Sequence, residues 1–219
     1  MMRFKCWYGF LIECYGSNES EYLKTIKMGY LKYVRDLWKQ PRENLGQEYK
    51  DKLVAWRKEN AIERVEYPTR IDRARTLGFR AKQGFVVARV RVIRGGKKNP
   101  RITSGRDGGN LSTKIVQSKN YQWICEERAQ KRFPNTEVLN SYWVGQDEKY
   151  YWYEVIMVDI YHPQIMNDRK INWIVSNKNT RRVNRGLTSA GKNSRGLNNK
   201  GLGAEKVRPS LRANGRRLK

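Results

Sequence analysis

YYWYEVIMVDI, residues 150–160, decides the fold. Both alternating sets of side chains in this run are apolar apart from Glu154, so it reads as a strand inside a sheet covered on both faces. Upstream, VLNSYWVG (138–145) is a second strand-like run, and the five residues Gly145-Gln146-Asp147-Glu148-Lys149 between the two carry turn chemistry. The pair predicts a β-hairpin. A third run, FVVARVRVIR (85–94), alternates: Val86, Ala88, Val90 and Val92 point one way, Val87, Arg89, Arg91 and Ile93 the other. A strand face carrying arginines is expected to meet phosphate.

Helices surround these strands. Tyr30, Leu31, Val34, Leu37 and Trp38 form one apolar face that Pro41 ends, and Leu45, Tyr49, Leu53 and Trp56 form another over 45–60. Helical spacing assigns these aromatics to a core rather than to base stacking. Thr69 and Asp72 fit a capping box for a short helix that Gly78 ends, with Arg70, Arg73 and Arg75 projecting into solvent. A further helix is expected over 113–133, with Glu127 and Lys131 paired at i, i+4 and Cys125 in the core. The expected fold is α+β: layered helices around a small, mostly antiparallel sheet, with long basic loops and a basic C-terminal extension. The division is an N-terminal extension (1–27), a body (28–167) with a basic loop region (70–106), and a glycine-rich basic extension (168–219).

The chain of 219 residues has a formal charge of +25 and a pI near 10.2. Residues 70–106 hold 12 Lys and Arg against one Asp, and residues 169–219 hold 15 against one Glu. The stretch 107–168 is slightly acidic, with six cations against nine carboxylates. Two basic blocks flanking a hydrophobic body call for a strongly anionic partner. Beyond Asp168 only Ile171, Trp173, Ile174 and Val175 offer an apolar anchor, so the rest is expected to stay disordered alone and to order against an anion.

Chemistry is sparsely supplied. Cys6, Cys14 and Cys125 form no C-x-x-C pair and His162 is the single histidine, which argues against a Cys/His zinc site. His162 in Tyr161-His162-Pro163 reads as a turn residue, not a general base. An enzyme that processes or modifies RNA would have to use Glu154, Asp159 or His162, and a protein that compacts DNA without specificity is a further alternative. No run of 18 apolar residues exists to span a membrane. No recognition-helix, zinc-finger or RNP aromatic motif is present, so folded RNA suits the chain better than duplex DNA or a single strand.

RGLTSAGKNSRGL (185–197) contains G-x-x-x-x-G-K, but Asn193 stands where a nucleotide-binding loop needs Ser or Thr, and no apolar strand leads in. Arginine, lysine and glycine together suit a segment that follows phosphates instead, with the glycines admitting close approach of an RNA backbone.

Four blocks resemble a known family: MGYLKYVRDLW from Met28, YPTRIDRARTLGFRAKQGFVVARVRVIRGGKKNP from Tyr67, VLNSYWVGQDEKYYWYEVIMVD from Val138, and RGLTSAGKNSRGL from Arg185. In this order they resemble the eukaryotic and archaeal large-subunit ribosomal protein fifteen, the fifteen-e family. The resemblance implies a non-enzymatic structural constituent of the large subunit of cytoplasmic ribosomes, without cofactor or metal, whose partners are large-subunit ribosomal RNA and neighbouring ribosomal proteins. It places Pro68 to Arg70, Ala81 to Gly84 and Arg94 to Gly96 against RNA. The chain departs from the family at Glu66-Tyr67, Ile93 and Asn99, where further basic residues are usual. The expected RNA-binding residues are Arg70, Arg73, Arg75, Arg80, Lys82, Gln83, Arg89, Arg91, Arg94, Gly95, Gly96, Lys97, Lys98 and Arg101 in the first block. In the second they are Arg181, Arg182, Arg185, Gly186, Lys192, Ser194 and Arg195. Family members begin at the equivalent of Met28, so residues 1–27 are either a misassigned start or a real extension; their near-neutral charge favours the first reading.

Overall fold

The computed structural model of the chain describes residues 29–98, 114–115, 117–205 and 207–208. The expectations for residues 1–27, for Arg101 and for the end of the C-terminal extension lie outside them. In chain order the strands are β1 (Ile62–Val65), β2 (Phe85–Ile93), β3 (Lys97–Lys98), β4 (Lys114–Ile115), β5 (Thr136–Gln146) and β6 (Tyr150–Asp159). The helices are α1 (Tyr30–Leu37), α2 (Pro41–Asn44), α3 (Gly46–Lys58), α4 (Ile71–Thr76), α5 (Tyr121–Arg132), α6 (Pro163–Met166) and α7 (Ser189–Ser194), with 3-10 turns at Asn172–Val175 and Asn177–Asn179.

The apolar run at 150–160 supplies the inner strand β6, in a four-stranded antiparallel sheet of order β1-β2-β6-β5. Trp152, Glu154 and Ile156 point to the face covered by α3 and the segment around α4. There they share a core with Trp38, Tyr49, Leu53, Trp56, Ala74 and Phe79. Val155 and Met157 point to the opposite face, where Ala88, Val90 and Val92 of β2 meet Trp123, Cys125 and Ala129 of α5. Three layers result, and the apolar character of both faces of β6 follows from them. A bulge at Leu139 reverses the parity of β5, so that Val138 faces α5 while Tyr142 faces α3.

Several local expectations differ from the structure. Pro41 ends α1 but also begins α2, because a missing N–H costs nothing in a first turn. Thr69 does not cap α4: the helix begins at Ile71, and the Thr69 backbone N–H and hydroxyl instead donate to Glu154 at 3.0 and 2.5 Å. Gly78, at φ +100°, follows the end of α4 as expected. Helix α5 starts only at Tyr121, because the Asn120 side chain accepts from the Trp123 backbone N–H at 2.7 Å, while Lys114–Ile115 pairs with Lys97–Lys98 as a ribbon. Glu127 pairs with Lys119 at 2.7 Å, not at i, i+4. The hairpin turn shortens to Asp147-Glu148-Lys149, because Asp147 Oδ1 accepts from the backbone N–H groups of Lys149 and Tyr150.

The segment after Asp168 is not a free arm where it is described. Ile171 and Ile174 bury against Val158 and Ile165, and Val183 and Ala190 join the core beneath α5. The outer edge of β5 is also covered. Arg182 Nη1 donates to the carbonyls of Val138 and Leu139 at 2.6 and 2.8 Å, Gln122 to that of Ser141 at 2.9 Å, and Arg70 to that of Trp143 at 3.3 Å.

Candidate nucleic-acid interface

The cations expected at RNA separate into two groups once the fold is formed. Arg89 and Arg91 lie on the β2 face that meets α3, in register with Glu154 and Trp152 of β6. Arg89 donates to both carboxylate oxygens of Glu59 at 2.7–3.2 Å, approaches Glu154 at 3.9 Å and stacks on Trp56 at 4.7 Å. Arg91 Nη1 donates to the Arg57 carbonyl at 2.5 Å, where the α3 dipole is negative, and its guanidinium stacks on Tyr150 at 4.8 Å. The arginine face of the strand is therefore an internal face, filled by the C-terminal end of α3.

Arg70 is half-buried rather than projecting: it stacks on Trp38 at 5.0 Å and lies 3.5 Å from Asp72. Lys82 pairs with Asp168. Arg182 seals the β5 edge, and burial pulls its pKa down, opposed by Glu126 and Glu137. Arg181 has φ +51°, and its backbone N–H donates to Glu137 at 2.7 Å; that buried carboxylate holds the backbone in a conformation few side chains adopt.

The second group is exposed: Arg73, Arg75, Arg80, Gln83, Arg94, Gly95, Gly96, Lys97, Arg185 and Lys192. The Arg94–Lys97 loop is held in place by the body. Arg94 stacks on Tyr151 at 4.9 Å and donates to the Asp147 carbonyl at 2.8 Å, and the Gly95 N–H donates to the Tyr121 hydroxyl at 2.7 Å. Beside it runs an open groove that brings Gly95, Gly96 and Lys97 together with Ser194 and Arg195, from the two basic blocks a hundred residues apart. The groove also gathers Lys119, Arg128 and Lys131 from α5 and its approach, none of them among the expected RNA-binding residues. Their signal is present as the Arg128/Lys131 pair at i, i+3, but nothing in the sequence ties α5 to the glycine loop. Lys98 is placed only as a residue of β3.

The glycines of RGLTSAGKNSRGL have an internal use. A Cβ on Gly191 would lie 2.7 Å from Gly186 Cα and 2.9 Å from its carbonyl carbon, so two backbone segments touch where no side chain fits. A Cβ on Gly186 would lie 2.8 Å from Arg195 Cδ and 3.2 Å from the Trp123 ring. The pair closes α7 onto α5 and leaves no cradle of the nucleotide-loop kind. Around this contact Thr188 caps α7, accepting from the Gly191 N–H at 3.2 Å. The Asn120 N–H donates to Ser194 Oγ at 2.8 Å, and the Trp123 indole donates to the Val183 carbonyl at 2.9 Å.

Glu126, fully buried on α5, accepts from the Ser141 and Thr188 hydroxyls at 2.5 Å each. Burial pushes its carboxyl above the ordinary value of 4.5, and the two hydroxyls only partly oppose this. Between the unfolded and the folded values the native chain therefore holds a proton that the unfolded chain has lost. This contribution is complete below the unfolded value and disappears as pH rises through the folded one. Glu126→Gln, which keeps both hydroxyls bonded, is expected to raise the urea midpoint at neutral pH and to change it little in acid. A shift that is equal at every pH would show that Glu126 does not titrate in this way.

His162 Nδ1 accepts from the Gln164 N–H at 3.3 Å and caps α6, and Asp159 Oδ1 accepts from the Tyr161 N–H at 3.0 Å. With Glu154 bound by Thr69 and Tyr142, the three groups an RNA enzyme would have needed are each engaged in holding local structure. Among the described residues no group of His, Cys, Asp and Glu is arranged to hold a metal ion, and no helix is long and apolar enough to cross a membrane.

Sheet, helices and basic rim lie within residues 29–214, which match the family model described as Ribosomal L15, of the L15e type. The match covers most of the chain, and the family's place is in the large subunit of cytoplasmic ribosomes, in company with ribosomal RNA and other ribosomal proteins. The chain belongs to the ribosomal L15e family and is a structural constituent of the large ribosomal subunit.

Proposed function

We propose that the protein binds and stabilises large-subunit ribosomal RNA through the exposed cations alone and performs no chemistry on it. Arg94, Lys97, Lys119, Arg128, Lys131 and Lys192 hold phosphates along and beside the groove, and Arg73, Arg75, Arg80 and Gln83 do so on the loop region. Arg89, Arg91 and Arg182 leave the contact set, because their forks are occupied by Glu59, the end of α3 and the β5 edge. Ser194, Arg195 and Gly186 position the tail. The observation carrying this reading is the separation itself: Arg89, Arg91 and Arg182 are turned into the body, while exposed cations of the first basic block and of α5 border one groove that the docked tail completes with Ser194 and Arg195.

The test compares two variants for binding to large-subunit RNA fragments across a salt series. Replacing Lys97, Lys131 and Lys192 by serine is expected to weaken binding and to flatten log affinity against log salt by about 0.7–0.9 for each phosphate no longer neutralised, with the thermal midpoint nearly unchanged. Arg89→Ser is expected to lower the midpoint and leave the salt slope intact. The opposite pattern would overturn the division of labour, and an unchanged slope in the triple variant would remove the groove from the interface.

A further inference from the structure

Among the described residues other than glycine, Arg181 alone has a left-handed backbone, at φ +51°. Residues with a Cβ seldom adopt this region, whereas glycine enters it without strain. The conformation is imposed from another element. Glu137 of β5, only 4% exposed, accepts from the Arg181 backbone N–H at 2.7 Å through Oε1. The chain is pinned on either side as well. The Arg182 N–H donates to the Asn179 carbonyl and the Asn184 N–H to the Arg181 carbonyl, each at 3.1 Å, and Arg185 Nη2 donates to the carbonyls of Lys178 and Thr180 at 2.5 and 2.9 Å. The Arg181 side chain gains nothing from this arrangement within the protein: it is exposed, and its guanidinium has no hydrogen bond, ion pair or ring contact among the described residues. Arg182, next in the chain, is turned inward onto the β5 edge. Asparagine tolerates the left-handed region better and stands nearby at 179 and 184, yet the strained position carries arginine.

A strained backbone that brings its side chain no contact is expected where that side chain has a task outside the fold. The surroundings name the task. Lys178 and Arg185, both exposed, flank Arg181 on the same loop, and residues 169–204 contain no Asp or Glu. An exposed guanidinium beside two further cations suits a phosphate, which its fork can bind bidentately. None of the three lines the groove described above. We propose that Arg181 is a phosphate anchor for the large-subunit RNA, separate from the groove, and that Glu137 is its positioning residue. By holding the backbone left-handed, Glu137 fixes the direction in which the guanidinium leaves the surface before RNA arrives, so that less freedom is lost on binding. The inference rests on the RNA-binding reading above and adds to it a second contact and the residue that presets it.

The test sets stability against binding in the full chain, with large-subunit RNA fragments as the probe. Arg181→Gly removes the charge and relieves the backbone. It is expected to raise the urea midpoint, to weaken binding about tenfold and to flatten log affinity against log salt by about 0.7–0.9, the share of one phosphate. Arg181→Lys keeps the charge and is expected to keep the slope. Glu137→Gln retains an acceptor for the Arg181 N–H and is expected to bind as the wild type does. Glu137→Ala is expected to lose about as much affinity as Arg181→Gly, with no further loss when the two are combined. Three results overturn the proposal: wild-type affinity and slope in Arg181→Gly, a fall in the midpoint of that variant, which would show that the arginine serves the fold, or full affinity in Glu137→Ala. The Arg181 variants decide the matter even if Glu137→Ala fails to fold. Failure of the wild-type chain to bind the RNA at all would instead strike down the broader RNA-binding reading, and the two failures are distinct.

Discussion

Glu154→Ala is expected to destabilise the isolated chain by about 3–5 kcal/mol, the usual cost of removing one member of a buried charged network. Glu154 is fully buried at mid-strand, and three donors converge on it: the Thr69 N–H at 3.0 Å, the Thr69 hydroxyl at 2.5 Å and the Tyr142 hydroxyl at 2.5 Å. Arg89 stands 3.9 Å away. Alanine leaves the buried Tyr142 hydroxyl and both part-buried Thr69 donors without their acceptor beside Trp56 and Trp152. Because Thr69 belongs to the Pro68-Thr69-Arg70 segment, the loss releases the entry to α4 and with it Arg73 and Arg75. Urea unfolding at constant m-value measures the effect. A loss below about 1 kcal/mol would place Glu154 among ordinary substitutions and end its role as the anchor of that segment.

Gly191→Val is expected to detach the tail from the body at a cost of about 3 kcal/mol or more, the upper range for overpacking. The clash is with the backbone of Gly186, which is itself closely packed: a Cβ there would lie 2.8 Å from Arg195 Cδ and 3.2 Å from the Trp123 ring. The tail must therefore lift away, breaking the Trp123–Val183 and Asn120–Ser194 hydrogen bonds and exposing Val183 and Ala190. Limited trypsin digestion should then cut at Arg181, Arg182 or Arg185 well before the body is attacked, with a shift in tryptophan emission. Cleavage no faster than in the wild-type chain would mean that the Gly186–Gly191 contact is not what holds the tail.

The hairpin, the buried inner strand and the apolar face of α3 are legible because each is written as a local period, whereas the expected face of α1 reaches the core only through Val34 and Trp38, with Tyr30 and Leu37 left exposed. The role of the Thr69 side chain is not legible, because its partner lies 85 positions away and a capping motif carries no information about a competing acceptor. Val183 and Ala190 give no signal for a related reason. A single apolar residue in a polar segment has no period, and its burial is set by the surface it meets. The site divides along the same line. Charge counting locates both basic blocks but weights every arginine equally. Only the register of β2 on β6 shows that Arg89 is consumed beside Glu154, and only the docking of the tail brings Arg195 near Gly95.

The covering of the β5 edge matters before any ribosome is present. A ribosomal protein is synthesised away from its site, and an uncovered edge strand of 11 residues would offer the next copy a template for sheet extension. Arg182, Gln122 and Arg70 occupy carbonyls of that edge from within the same chain. Some of the arginine that a charge count assigns to RNA thus occupies the strand edge through which a second copy would extend the sheet.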